Sequence, residues 1–290
     1  IITLALCGSG IVTDPKKSEE AAKNNAELCV EIATDGMTLL KNQNNALPLL
    51  PDEKGEYKVN VFGYAGDDYG FVHQGAGSGG GTDEGIVTLY EGLRQSGVRI
   101  NEDLATAYNN DWNYERQGWN DYKLPEADES WYTDARMQQA KQFSDTALIV
   151  FGRKGGETGD LPRYQLQMNN KKDKSRLYQQ LTALEEVMID KVTANFDKVI
   201  VVFNTTNVRE AGFLNEDKID AAIAMDAPGT KGSPALGKLL KGEATFSGRT
   251  VDTWAYDITT AAAWANAGKD GSHVVKAKGS DKVSISTYAE

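Results

Sequence analysis

One glutamate draws attention first. In TALIVFGRKGGETGDLP (146–162) an apolar run of strand length ends, and Glu157 follows among Gly155, Gly156 and Gly159. Glycine lets a ligand come close to the backbone, and a carboxyl group presented at a strand end can serve as a general acid. The same residue types also make an ordinary surface turn, in which Arg153 and Arg163 pair with Asp160 or keep Glu157 ionised. Cleaving a glycosidic bond with retention takes two carboxylates about 5 to 5.5 Å apart, so this loop alone holds at most half of such a site.

Two further loops hold candidate chemistry. YAGDDYGFVHQGAGSGGGTDEG (64–85) places Gly75, Gly77, Gly79, Gly80 and Gly81 around Ser78. Backbone this bare suits a sugar or a phosphate, and equally a turn with no ligand. A phosphate-binding Walker loop needs Lys and Ser/Thr after its last glycine. Here Thr82 and Asp83 follow, and Asp67, Asp68 and Asp83 disfavour an anion. NTTNVREAGFL (204–214) begins with Asn204, Thr205, Thr206 and Asn207, types that cap a helix start. His73 and His273 lie far apart in dissimilar settings, so neither a Ser-His-Asp set nor a metal set is built from them. His73 reads as a polar loop residue, Cys7 and Cys29 as reduced packing residues, and no metal or cofactor is expected.

These loops need a scaffold that gathers them. Short β-branched or aliphatic runs at 37–40, 59–63, 147–152, 199–204 and 221–225 read as strands. They alternate with helical patterns at 18–34, 84–96, 134–142, 175–196 and 235–241. In the longest of these, Leu177, Leu181, Leu184, Val187 and Met188 recur at helical spacing. The alternation predicts an α/β fold, a three-layer α/β/α sandwich around a mainly parallel sheet of about six strands. Ligands of such sheets collect at the carboxyl ends of the strands, where all three loops begin. The stretch 109–132 departs from this rhythm, with Trp112, Tyr114, Trp119, Tyr122, Trp131 and Tyr132 among polar residues. It reads as a surface insertion pinned by its aromatics, or as a face for a carbohydrate or another domain.

Composition narrows the partners. The 290 residues carry 31 Lys+Arg against 42 Asp+Glu, a net charge of -11 that repels phosphate backbones and anionic bilayers. Nucleic acid and membrane are therefore not expected partners, and no apolar run reaches the ~18 residues of a spanning helix. The opening IITLALCGSG lacks the basic start and the small residue before Cys7 that export signals carry, and an initial Ile1 suggests numbering that starts partway into a longer product. Residues 1–260 are expected to form the sandwich domain, and 261–290, rich in Ala, Gly, Ser and Lys, a tail or connector.

In order along the chain, GMTLLKNQNNALPL (36–49), GAGSGGG, GRKGGETGD, KVIVVFNTTN and APGTKGSPALGKLLKGEATFSGRTVDTW (227–254) resemble the C-terminal α/β-sandwich domain of glycoside hydrolase family 3, the family of many β-glucosidases. The resemblance implies a retaining β-glycosidase acting on a β-glucoside or related oligosaccharide. A (β/α)8 barrel would supply an aspartate nucleophile, and the sandwich the acid/base glutamate. Glu157 stands at the matching position, followed by Thr158 where many members have glycine. Ser78 stands where some members contact the sugar. Eight βα units need about 200 residues, and no spare length here resembles them. The ending SGRTVDTWAYDITTAAAWANAG is similar to members whose sandwich precedes the barrel, so the chain is expected to be inactive without that partner. The alternative is a non-catalytic glycan-binding or scaffold domain, which glucose affinity without a barrel would favour.

Overall fold

The computed structural model describes residues 14–75, 85–111, 124–155, 164–165, 173 and 175–260. Among them are six strands: β1 Thr38–Asn42, β2 Tyr57–Phe62, β3 Val98–Ile100, β4 Thr146–Arg153, β5 Lys198–Thr205 and β6 Ala221–Ala224. They form one sheet in the order β1-β6-β5-β4-β2-β3. All neighbours run parallel except β1, which pairs antiparallel with β6. The described α-helices are α1 Pro15–Gly36, α2 Leu89–Gln95, α3 Glu102–Asp111, α4 Asp134–Phe143, α5 Ala183–Asn195 and α6 Pro234–Leu240.

The period of two along a strand explains the layers. In β4, Leu148 and Val150 join a core with Val61, Val202, Ile223 and the helices α2 and α6. Ala147, Ile149 and Phe151 point the other way, into a core with Phe62, Val201, Phe203 and the helices α3, α4 and α5. A strand covered on both faces shows no polar alternation, which is why 147–152 and 199–203 are continuous apolar runs. The three-layer, mainly parallel six-stranded α/β sandwich is thus the one expected from sequence.

Several expectations are corrected. The helix expected over 175–196 begins only at Ala183, because a capping box sets its start. Thr182 Oγ1 accepts from Glu185 N at 3.0 Å, and the Glu185 carboxylate accepts from Thr182 N at 2.8 Å. Upstream, Leu177 instead bridges to Tyr164 in an antiparallel contact. Strand β3 and helix α3 had no counterpart in the sequence pattern. Cys29 is exposed rather than packed. Cys7, His273 and 261–290 lie outside the described residues.

Candidate active site

Strand β2 has β3 on one side and β4 on the other, so the chain leaves β2 in one direction and later resumes on its opposite flank. In an open parallel sheet such a reversal opens a crevice at the carboxyl ends of the strands concerned. The loops that begin after β2 and after β4 are those that carry Ser78 and Glu157. Both residues themselves lie outside the described residues, as do Thr82, Asp83, Asp160 and Arg163.

The stems of these loops are described and are laced together by the end of β5 and the loop after it. Asn204, fully buried, accepts from Val72 N at 2.7 Å through Oδ1, and through Nδ2 donates to Val72 O and to Asp226 O, both at 2.7 Å. One amide thus ties the loop after β2 to the end of β6. Thr206 Oγ1 accepts from Gly155 N at 2.8 Å and donates to Gly155 O at 3.2 Å. Gly75 closes over the same place: a Cβ there would stand 3.1 Å from Gly155 O and 3.7 Å from Thr206 Cγ2. The expectation that 204–207 caps a helix is therefore corrected. The next described helix is the short 3-10 turn Gly212–Asn215; Asn204 and Thr206 serve the neighbouring loops instead, while Thr205 and Asn207 bond within their own.

Beneath this seam lies a buried charge cluster. Among the described residues, Arg153, the last residue of β4, pairs with Glu185 of α5. Its guanidinium forks onto Glu185, Nη1 to Oε1 at 2.7 Å and Nη2 to Oε2 at 2.8 Å, and also donates to the carbonyls of Tyr178 and Gln180. Arg209 reaches Glu185 Oε2 at 3.4 Å and lies over the Phe151 ring. Burial would raise the Glu185 carboxyl, but the two guanidinium charges win and hold it down at about 2. Burial and the Arg153 charge together weaken the hold of Arg209 on its proton.

Two other carboxyls are pushed the opposite way. Asp67, wholly buried, turns the loop after β2 by accepting from Tyr69 N at 2.8 Å and from Gly70 N. Burial raises it to about 8. Glu126 accepts from Tyr64 N at 3.0 Å and Ala127 N at 2.9 Å, and burial raises it to about 7. A cavity of about 20 Å³, room for one ordered water, is lined by Glu126, Arg153, Glu185, Tyr64 and Gly152.

His73 is a buried loop residue whose carbonyl accepts from Gly229 N at 2.8 Å. Of the aromatic stretch, Trp131 and Tyr132 are described. Trp131 Nε1 donates to Asp111 at 2.7 Å, its ring packs on Tyr108, and the Arg136 guanidinium covers it at 4.0 Å. These two pin α3 to α4. Trp112, Tyr114, Trp119 and Tyr122 lie outside the described residues. Asn204, Thr206, Glu185 and Glu126 were not singled out as site residues by sequence. Only the T-x-x-E spacing of Thr182 and Glu185 offered a signal.

Residues 37–289 match the model of the family described as Glycosyl hydrolase family 3 C-terminal domain. A Beta-glucosidase of Ruminococcus albus is 33% identical over 240 residues, which cover 80% of this chain and 23% of that protein. Beta-glucosidase A of Butyrivibrio fibrisolvens is 31% identical over 251 residues, 81% of this chain and 29% of its own length. Among solved structures, a beta-glucosidase from Paenibacillus barengoltzii superposes with a TM-score of 0.67 at 30% identity, over 84% of this chain and 25% of its own. Beta-glucosidase 3B from Thermotoga neapolitana, at 23% identity and a TM-score of 0.70 over 86% of this chain and 33% of its own, shares the fold. The chain thus spans between 23% and 29% of the length of the two curated relatives.

Proposed function

The chain belongs to the glycosyl hydrolase family 3 C-terminal domain family, and from that premise we propose that it is the sandwich part of a retaining β-glucosidase, with Glu157 as acid/base and Ser78 as a sugar contact. The observation that carries this is the meeting of the two loop stems, Gly75 against Gly155, at the reversal of strand order. It supports a single crevice served by both loops, as a glycoside would need. We also propose 1–260 as the extent of the sandwich domain, with 261–290 as a tail or connector.

In the complete enzyme a facing (β/α)8 barrel supplies an aspartate. That carboxylate attacks the anomeric carbon while Glu157 gives its proton to the departing glycosidic oxygen. Glu157, now ionised, takes a proton from water as the water attacks the glycosyl ester, which releases the sugar and restores both groups. A glutamate that must start protonated near neutral pH needs a raised pKa, and coverage by the facing domain provides it by desolvation.

The test compares the 290-residue chain with the complete two-domain polypeptide, as wild type and as Glu157→Ala. The isolated chain is expected to be silent on nitrophenyl glucoside. In the complete polypeptide, Glu157→Ala should slow an unactivated glucoside by ~10²- to 10⁴-fold. An activated aryl leaving group, or azide in place of water, should restore part of that rate. A wild-type rate on the unactivated substrate would sink the assignment. Hydrolysis by the isolated chain would remove the need for a barrel.

A further inference from the structure

The loop after β5 takes no part in the proton transfers proposed above, yet its Thr206 side chain bonds the stem of the loop that does and faces the stem of the glycine-rich loop. We propose that Thr206 is a positioning residue that seats both loops at once. Its hydroxyl fixes the stem of the loop carrying Glu157, and its methyl fixes the stem of the glycine-rich loop carrying Ser78. The inference deepens the function proposed above and rests on the assignment of Glu157 as acid/base.

A threonine hydroxyl can donate one hydrogen bond and accept two. At Thr206 all three are used. Oγ1 accepts from Gly155 N at 2.8 Å and from Asn207 Nδ2 at 2.9 Å, and donates to Gly155 O at 3.2 Å. Both backbone groups of Gly155, two residues before Glu157, are thereby held by one side chain. The backbone of Thr206 adds a third tie, N to Arg153 O at 3.1 Å, which extends the β4–β5 ladder one step past the pair Arg153 and Thr205.

The other branch of the side chain faces Gly75, three residues before Ser78. A Cβ on Gly75 would stand 3.7 Å from Thr206 Cγ2 and a tight 3.1 Å from Gly155 O, so the stem passes close to both with little space for a side chain. Position 206 therefore separates two functions by atom. Valine keeps the methyl and loses the hydroxyl, while serine does the reverse.

The experiment uses the complete two-domain polypeptide as wild type, Thr206→Val, Thr206→Ser and Glu157→Gln. For each, kcat and KM are measured on cellobiose, whose leaving group needs a proton, and on a nitrophenyl glucoside, whose leaving group does not. The basic limb of the pH–rate profile and the urea midpoint are recorded alongside. A misplaced acid should cost Thr206→Val roughly tenfold or more in kcat on cellobiose, far less on the aryl glucoside, and should move the basic limb. Thr206→Ser should restore that ratio and the limb and instead raise KM for both substrates.

Equal losses on both substrates, an unchanged profile in Thr206→Val, or a serine variant that behaves like the valine variant would overturn the proposal. Should the valine variant fail to fold, Thr206→Ala is scored by the same cellobiose-to-aryl ratio. The Glu157→Gln arm keeps the two assignments apart. If it shows no dependence on the leaving group, the acid/base assignment falls, whereas if it does and Thr206→Val does not, only the role of Thr206 falls.

Discussion

Glu185 does the work of three contacts with one carboxylate. It closes the capping box with Thr182, takes the Arg153 fork on both oxygens and receives Arg209. Removing it deprives two buried guanidinium groups of their carboxylate partner, and breaking a buried pair in this way costs about 3–5 kcal/mol. Glu185→Ala is expected to lower stability by that order in urea titration. A loss of less than ~1 kcal/mol would mean that water compensates the arginines. Apart from the T-x-x-E spacing of the cap, none of this was legible in the sequence. Arg153 stands next to the loop acids along the chain, and its true partner lies 32 positions away. Spacing in sequence says nothing about which carboxylate a strand end will meet once α5 packs across it. Thr206 and Asn204 were noticed for the right reason, a polar side chain able to bond backbone, but their targets are backbones brought alongside by the sheet.

Helix α5 shows where elements were readable and where they were not. Its apolar spacing continues upstream through Leu181 and Leu177, and that continuity placed the start too early. What stops the helix is local: Thr182 takes the Glu185 N–H, and Leu177 has a separate task beside Tyr164. Thr182→Ala is therefore expected to destabilise by ~1 kcal/mol, as the loss of a cap does. Thr182→Ser should recover most of it in the same urea titration. A midpoint unmoved by alanine would show that Glu185 alone sets the start. Strands β4, β5 and β6 were legible because both of their faces are buried, and β2 because its last four residues are. Strand β3 was not, since it is three residues long with an exposed Arg99 at its centre. Helix α3 was hidden for a different reason: it buries only Leu104, Ala105 and Tyr108 among polar neighbours.

Across the whole molecule the buried carboxyls set how stability follows pH. Asp67, at about 8, and Glu126, at about 7, both titrate above their unfolded values near 3.8 and 4.5. Between those limits the folded state binds more protons than the unfolded one, so stability falls as pH rises. This contribution is complete below about pH 4 and is lost as the pH passes through 7 and 8. Glu185, held at about 2, acts in the opposite sense, adding stability above its unfolded value near 4.5 that disappears on acidification. Urea unfolding should therefore show a less stable protein at pH 8 than at pH 5.5, and Asp67→Asn with Glu126→Gln should flatten that slope. A rise in stability between the two pH values would contradict the burial of both carboxyls. At this scale the order of motifs in the sequence carried most: it named the family and the sheet, and it put both glycine-rich loops after the two strands that flank the reversal.

The outer strands of the sheet have a consequence for the domain as a separate object. An open sheet edge recruits other strands unless it is short, charged or covered. Strand β3 ends the sheet after three residues, with Arg99 fastened to Glu56 at 2.5 Å. On the opposite side, Lys41 of β1 is held by the carbonyls of Leu214 at 2.6 Å and Glu216 at 3.0 Å. Both margins carry an anchored cation, so neither is a good template for edge-to-edge growth. A domain whose edges are guarded in this way is expected to resist edge-to-edge aggregation when produced alone.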